Sequence, residues 1–224
     1  MPDVKLIAAL HRSEPGDDLL DPAFRAALAT TGASRLQVNL DDADVAGAMR
    51  FGPGAPVTAV VSVWTDQDPT AALDVVRRLD AELDAWLVEE REPLVPPTVP
   101  DGVRADALAN IALLRRPASM TPQDWRSDWL ERHTQVAIDT QGTFGYVQNP
   151  VVRTLTAGGG DVAGIVEELF PMAALSDQHA FYGSGGDEAE LQRRFTTLMD
   201  SCARFGAADG LDLVPSSRYG FRLS

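Results

Sequence analysis

Cysteine is nearly absent from this 224-residue chain, in which Cys202 stands alone. A single thiol cannot close a disulfide within the chain or build a cysteine-based zinc cluster, and it suits a reducing compartment. Lysine is as scarce, Lys5 being the only one, and 19 basic residues face 33 acidic ones for a net charge of −14. A surface of that sign repels phosphate, so neither nucleic acid nor an anionic membrane is expected as a partner. No apolar run approaches the roughly 20 residues of a bilayer span. The opening, MPDVKLIAALHRSEPG, has an apolar stretch too short for a secretion signal and carries Asp3 where such a signal is basic, which predicts a cytoplasmic protein. Histidine occurs three times, and no pair has metal-ligand spacing, which argues against a zinc or iron site.

What the chain does have is a 45% apolar content, enough for a packed core, arranged in short alternating elements. Val4 to Leu10 reads as a buried strand, and a turn-rich stretch follows over 13–18. Asp21 and Pro22 read as the cap and first residue of a helix that Gly32 closes. Arg35 to Leu40 alternates like a strand, and Val57 to Thr65 reads as another. Asp68 and Pro69 open a second helix, whose period is carried by Leu73, Val76, Leu79, Leu83 and Trp86. A last strand is expected near Val88 to Val95.

Pro93, Pro96, Pro97 and Pro100 mark a linker at mid-chain. Beyond it Ala107 to Leu114 reads as a strand. Thr121 caps a helix from Pro122 to Gly142, and strands are expected over Thr143 to Leu155 and Gly164 to Phe170. A helix over Asp187 to Phe205 carries Leu191, Phe195, Leu198, Cys202 and Phe205 on one face. Leu211 to Leu223 closes the pattern. The order β-α-β-β-α-β thus occurs twice, over residues 1–98 and 104–224. It is the ferredoxin-like order, so the expected class is α+β. Each such sheet leaves one apolar face bare, and two in one chain can cover each other as an intrachain αβ-barrel with the helices outside.

The segment Ile111 to Asn149, IALLRRPASMTPQDWRSDWLERHTQVAIDTQGTFGYVQN, carries an Arg115-Arg116-Pro117 strand end, Trp125, Trp129 and His133 along a capped helix, and Tyr146, Gln148 and Asn149 on the next strand. This pattern resembles the EthD family of dimeric αβ-barrel proteins, as does GIVEELF from Gly164 to Phe170, where Glu167 falls on the family's acidic position. The resemblance covers residues 105–205; the first half matches in element order alone. It implies a barrel that serves catabolic or polyketide-type metabolism, and it does not specify a reaction.

His133 is the leading candidate for chemistry. Trp125, Trp129 and His133 at i, i+4 and i+8 share a helix face, and an imidazole between indoles favours its neutral form, as a general base needs. The same spacing suits a core histidine satisfied by backbone. Tyr146 can donate to a developing oxyanion or pack as an ordinary aromatic. Asn149 has the opposite strand parity, so the two face opposite sides. Asn110 interrupts an apolar strand and faces either a ligand or a neighbouring loop. Glu167 and Glu168 also point to opposite faces; Glu167 is preferred as a partner of His133 because of the resemblance. His11 and His179 read as surface residues, and the runs at Gly158 to Gly160 and Gly183 to Gly186 as turns.

Two classes of function follow. One is a cofactor-free lyase, isomerase or cyclase acting on a small apolar oxygenated compound, with His133 and Tyr146 catalytic and Trp125, Trp129, Asn110, Glu167 and Asn149 binding the substrate. The other is a non-catalytic module that holds a small organic ligand within a degradation pathway. A haem-binding barrel with one axial histidine is a third reading. The fused pair can stand as a monomer, or two chains can pair as a homodimer.

Overall fold

The computed structural model describes residues 4–13 and 16–223; Asp3 and residues 14 and 15 of the expected turn fall outside them. Its strands are β1 (Val4–Leu10), β2 (Ala33–Leu40), β3 (Ala59–Thr65), β4 (Asp84–Val88), β5 (Arg91–Leu94), β6 (Leu108–Arg115), β7 (Gly145–Thr154), β8 (Val162–Phe170) and β9 (Leu211–Arg222). The helices are α1 (Pro22–Ala29), α2 (Pro69–Arg77), α3 (Pro122–Ser127), α4 (Thr134–Thr140), α5 (Gln178–Tyr182), α6 (Glu188–Phe205) and α7 (Ala207–Gly210), with short 3-10 turns between elements. No helix among the described residues is long and apolar enough to cross a membrane.

The strands run in the order β4-β1-β3-β2-β9-β6-β8-β7, and a further pairing of β4 with β7 closes them into an eight-stranded antiparallel barrel. The first four belong to the first half of the chain and the last four to the second. Both halves repeat one connectivity, so the sheets join edge to edge, β2 to β9 and β4 to β7. Closure pairs both edges of each of the eight ring strands, which removes a template for foreign pairing. β5 continues from β4 and lies against β7 beyond the closed ring.

Every strand in such a barrel has two buried faces, which explains its near-continuous apolar runs. The inner faces of Ile7, Ala9, Val60, Trp86, Ile111, Leu113, Ile165 and Val214 fill the barrel. The outer faces carry two separate helix-covered cores. Leu6, Ala8, Val61 and Val63 pack under α1 and α2, and Ala112, Tyr146 and Val166 pack with Trp125 and Trp129.

The second helix is shorter than its periodicity predicted. It ends at Arg77, and Trp86 belongs to β4. Hydrogen bonding of β4 to both β1 and β7 overrides the helical spacing there. Trp86 lies inside the barrel, fully buried, with its indole N–H on the Gly159 carbonyl at 2.8 Å.

The helix expected from Pro122 to Gly142 is also not one α-helix, because Asp128–His133 forms a π-helical turn between α3 and α4. In an α-helix four residues overshoot a turn by about 40°, so i and i+8 drift apart by about 80°. The wider π turn falls short over four residues and cancels that drift. Trp125, Trp129 and His133 are therefore all buried against the sheet.

The two indoles lie with centroids 4.9 Å apart over Gly164 of β8. A Cβ there would sit 2.4 Å from the Trp129 ring and 3.1 Å from that of Trp125. Neither ring has a flexible end that can yield. Gly164→Ala is expected to cost about 1–3 kcal/mol in urea unfolding, with the denaturant slope unchanged.

Candidate functional site

Between the outer face of the second half's sheet and its helices lies a cavity of about 550 Å³. Its floor is the helix-covered side of three adjacent strands. Asn110 of β6 is paired with Glu168 of β8, and Glu168 with Tyr146 of β7. Paired residues share a face, so these three polar side chains form a row across strands about 4.8 Å apart. Leu108, Ala112, Leu114 and Val166 surround the row, and Trp129 and Phe205 close over it. His133 looks in from the π turn, and π turns are frequent at functional sites.

The mouth is completed by the first half of the chain, through Gly47, Ala48, Met49 and Phe51. That loop is pinned by the bond from Leu213 N–H to the Phe51 carbonyl at 2.7 Å and from Gly54 N–H to Asp212 at 2.8 Å. Arg115 in turn links Asp212 to Asp161, at 2.7 and 2.8 Å. Met49, Phe51 and Phe195 form an exposed apolar rim.

The electrostatics of this lining are unusual. Glu168 is pushed up to about 7 by burial, opposed by the Gln141 amide, which in its hydrogen-bonding orientation donates to Oε1 at 2.9 Å. Glu168 is only half-buried by surface area, since it opens on the cavity. No cation is paired with it among the described ion pairs, so at neutral pH it is balanced between acid and base. His133 is driven down to about 4 by burial and then by the Arg204 cation, so it is neutral at neutral pH. Its Nδ1 lies 3.0 Å from Ser201 Oγ and its ring lies on Phe205. Burial and the Glu168 charge hold the Tyr146 hydroxyl well above its ordinary range, and the same causes push Cys202 up to about 12. Both keep their protons. Asn110 Oδ1 and Trp129 Nε1 are buried without a well-formed hydrogen bond, although the indole N–H lies near the Tyr146 oxygen.

The cavity thus gathers His133, Tyr146, Trp129 and Asn110 of the residues expected at a site. Trp125 is not on its surface; the indole packs behind Trp129 and donates to the Phe205 carbonyl at 3.1 Å. Glu167 and Asn149 lie on the other face of the sheet, inside the barrel. Glu167 accepts from Gln37 at 2.9 Å and pairs with Arg218 at 3.0 Å. Asn149 donates to the Ile165 carbonyl at 3.2 Å. The acid beside Tyr146 is therefore Glu168, and strand parity is what separates it from Glu167. Of the other histidines, His11 is held between Pro56 and Asp84, and His179 sits in the first turn of α5 on Ser184. Among the described residues no three His, Cys, Asp or Glu side chains converge to hold a metal ion.

Sequence reasoning missed Ser201, Gln141 and the Gly47 to Phe51 loop. Ser201 had a readable signal: it lies at i+3 from Leu198 and i−4 from Phe205, a polar residue in the apolar stripe of α6. The loop had none, because only the closure of the barrel brings it to the other half.

No protein-family model matches the chain, EthD included, and no curated protein matches it. Solved structures do match. An anthrone oxidase-like protein superposes on 100% of this chain and 94% of its own, with a TM-score of 0.59 and 8% identity. A candidate monooxygenase from Lactobacillus acidophilus NCFM covers 100% and 98% with a TM-score of 0.49 and 7% identity. Another from Fusobacterium nucleatum subsp. nucleatum covers 99% and 94% with a TM-score of 0.49 and 8% identity. At 8% identity the first of these likenesses shows the fold alone: this chain is an α+β barrel of the kind that the anthrone oxidase-like protein adopts.

Proposed function

We propose that the chain is an intracellular, cofactor-free enzyme that binds a flat, apolar, oxygenated organic molecule in the cavity and removes a proton from a carbon that the carbonyl acidifies, directly or through a conjugated ring. In this reading it is a tandem of two ferredoxin-like units, over residues 1–98 and 104–224, distantly akin to the EthD proteins. The observation that carries the reading is the row Asn110, Glu168 and Tyr146 on the floor of an otherwise apolar cavity that His133 touches. A mere packing core would leave no such space, and Glu167 inside the barrel is paired with Gln37 and Arg218, whereas this row faces open volume.

Ionised Glu168 takes the proton, the C–H electron pair becomes a carbon–carbon double bond, and the carbonyl oxygen becomes an enolate oxygen. The Tyr146 hydroxyl and the Asn110 amide stand beside Glu168 as donors to that oxygen. Return of the proton to another carbon gives an isomerase, loss of a β-substituent a lyase, and attack on an internal carbonyl a cyclase. The name of the anthrone oxidase-like neighbour suggests a probe, a fused-ring ketone with an acidic CH2.

Anthrone incubated with the protein in D2O should exchange its CH2 protons at least tenfold faster than in buffer. Glu168→Gln should return the rate to that of buffer while ligand quenching of the tryptophan fluorescence persists. Undiminished exchange in Glu168→Gln would remove Glu168 as the base. Binding without exchange across a panel of CH-acidic ketones would leave a ligand-holding module instead.

A further inference from the structure

We infer that Arg204 and Ser201 are positioning residues that fix His133 as the tautomer protonated on Nε2, so that it presents an N–H donor to the cavity. Arg204 Nη2 donates to Ser201 Oγ at 2.9 Å, and the guanidinium cannot accept in return. The Ser201 hydroxyl proton therefore needs another acceptor. One turn earlier on the same helix face, the Thr197 hydroxyl bonds back to the Arg193 carbonyl at 2.8 Å, but Ser201 makes no such bond. Its hydroxyl is turned to His133 Nδ1, 3.0 Å away.

Nδ1 is then the acceptor, and a neutral ring must carry its proton on Nε2. Ser201 is fully buried, so no water competes for the bond. Nε2 has no partner among the described residues and is not sealed by packing. The ring borders the cavity, and we take that as the side on which Nε2 is open. Arg204 makes no described ion pair; its described polar contact is Ser201. It orients the hydroxyl and, by its charge, also disfavours a second proton on the ring.

This deepens the reading of the cavity as an enolising site. His133 becomes a third donor to the substrate oxygen rather than the base, and proton removal is left to Glu168. The tautomer itself can be read without substrate, so the two ideas fail separately.

The test is long-range 1H–15N correlation of the uniformly labelled protein at pH 7, with the His133 signals assigned by their loss in His133→Gln. The wild type should show a protonated Nε2 and an unprotonated Nδ1. Ser201→Ala should give averaged, mixed-tautomer shifts, and Arg204→Met should shift the balance part of the way, with Arg204→Lys restoring it. A wild-type ring protonated on Nδ1 overturns the inference outright, whether or not any variant folds. An Nε2–H ring that persists unchanged in both Ser201→Ala and Arg204→Met overturns the roles given to those residues. Wild-type protein with the expected tautomer but no exchange of anthrone protons would keep the inference and sink the enolising function.

Discussion

Glu168→Gln is expected to make the protein more stable at pH 8, by up to about 3 kcal/mol, while returning proton exchange to the rate of buffer, a loss of at least tenfold. Glu168 titrates near 7 in the folded chain against an ordinary value of 4.5. A raised carboxyl pKa means that the folded state holds its proton where the unfolded state has lost it. Stability therefore falls as pH rises from about 4.5 to about 7 and stays reduced above that. Gln fills the same volume, still accepts from Gln141, and never ionises. Urea unfolding at pH 8 should show the variant ahead, and at pH 5 the two should nearly coincide. The rate should run the other way. Proton removal needs the ionised form, so wild-type activity should rise with pH through about 7, and the variant should have no such limb. A variant less stable at both pH values would mean that Glu168 is not strained by its burial.

His133→Asn should act on the acid side. The imidazole titrates near 4 when folded and near 6.5 when free. A depressed histidine pKa gives stability that is present above 6.5 and is lost as pH falls towards 4, again about 3 kcal/mol. Asn can take the Ser201 proton through its own oxygen but cannot become charged. Between pH 7 and pH 4 the variant should therefore gain about 3 kcal/mol relative to the wild type. His11 and His179 are common to both proteins and cancel in the difference. A difference that does not change with pH would show that the imidazole reaches water freely. Glu168 and His133 have opposed slopes over much of the same range, so the wild-type profile should be flat from about 4.5 to 6.5. Each variant exposes the slope of the other group.

This cavity makes physical sense of an arrangement that is costly for folding. An acid in an apolar pocket and an imidazole wedged against Phe205 both oppose stability at some pH, and both line the same space. Groups held away from their ordinary protonation in a cleft are typical of sites that move protons.

Much of the architecture was legible because it depends on local pattern. Capping by Asp21, Asp68 and Thr121 fell where expected, each side chain accepting from a nearby backbone N–H. Strand periodicity located β1, β2, β3, β6 and β8, and parity alone separated Tyr146 from Asn149. Trp86 was misread because short apolar segments satisfy helical and strand spacing alike, and pairing with Ile7 and Thr154 on strands distant in the chain decides between them. The π turn at Asp128–His133 could not be read either, since the sequence there has ordinary helical content and it is packing against the sheet that selects the wider turn.

By itself, then, the sequence determined the element order, its repetition, the caps and the shared helix face of Trp129 and His133. These follow from interactions within a few residues, where spacing is geometry. The tertiary structure decided that Glu168 rather than Glu167 stands beside them, that Ser201 and Arg204 hold the imidazole, and that a loop from the first half closes the mouth. Those facts depend on which strands meet and how the barrel shuts, and burial by distant segments sets the charge of a group as surely as its own chemistry does.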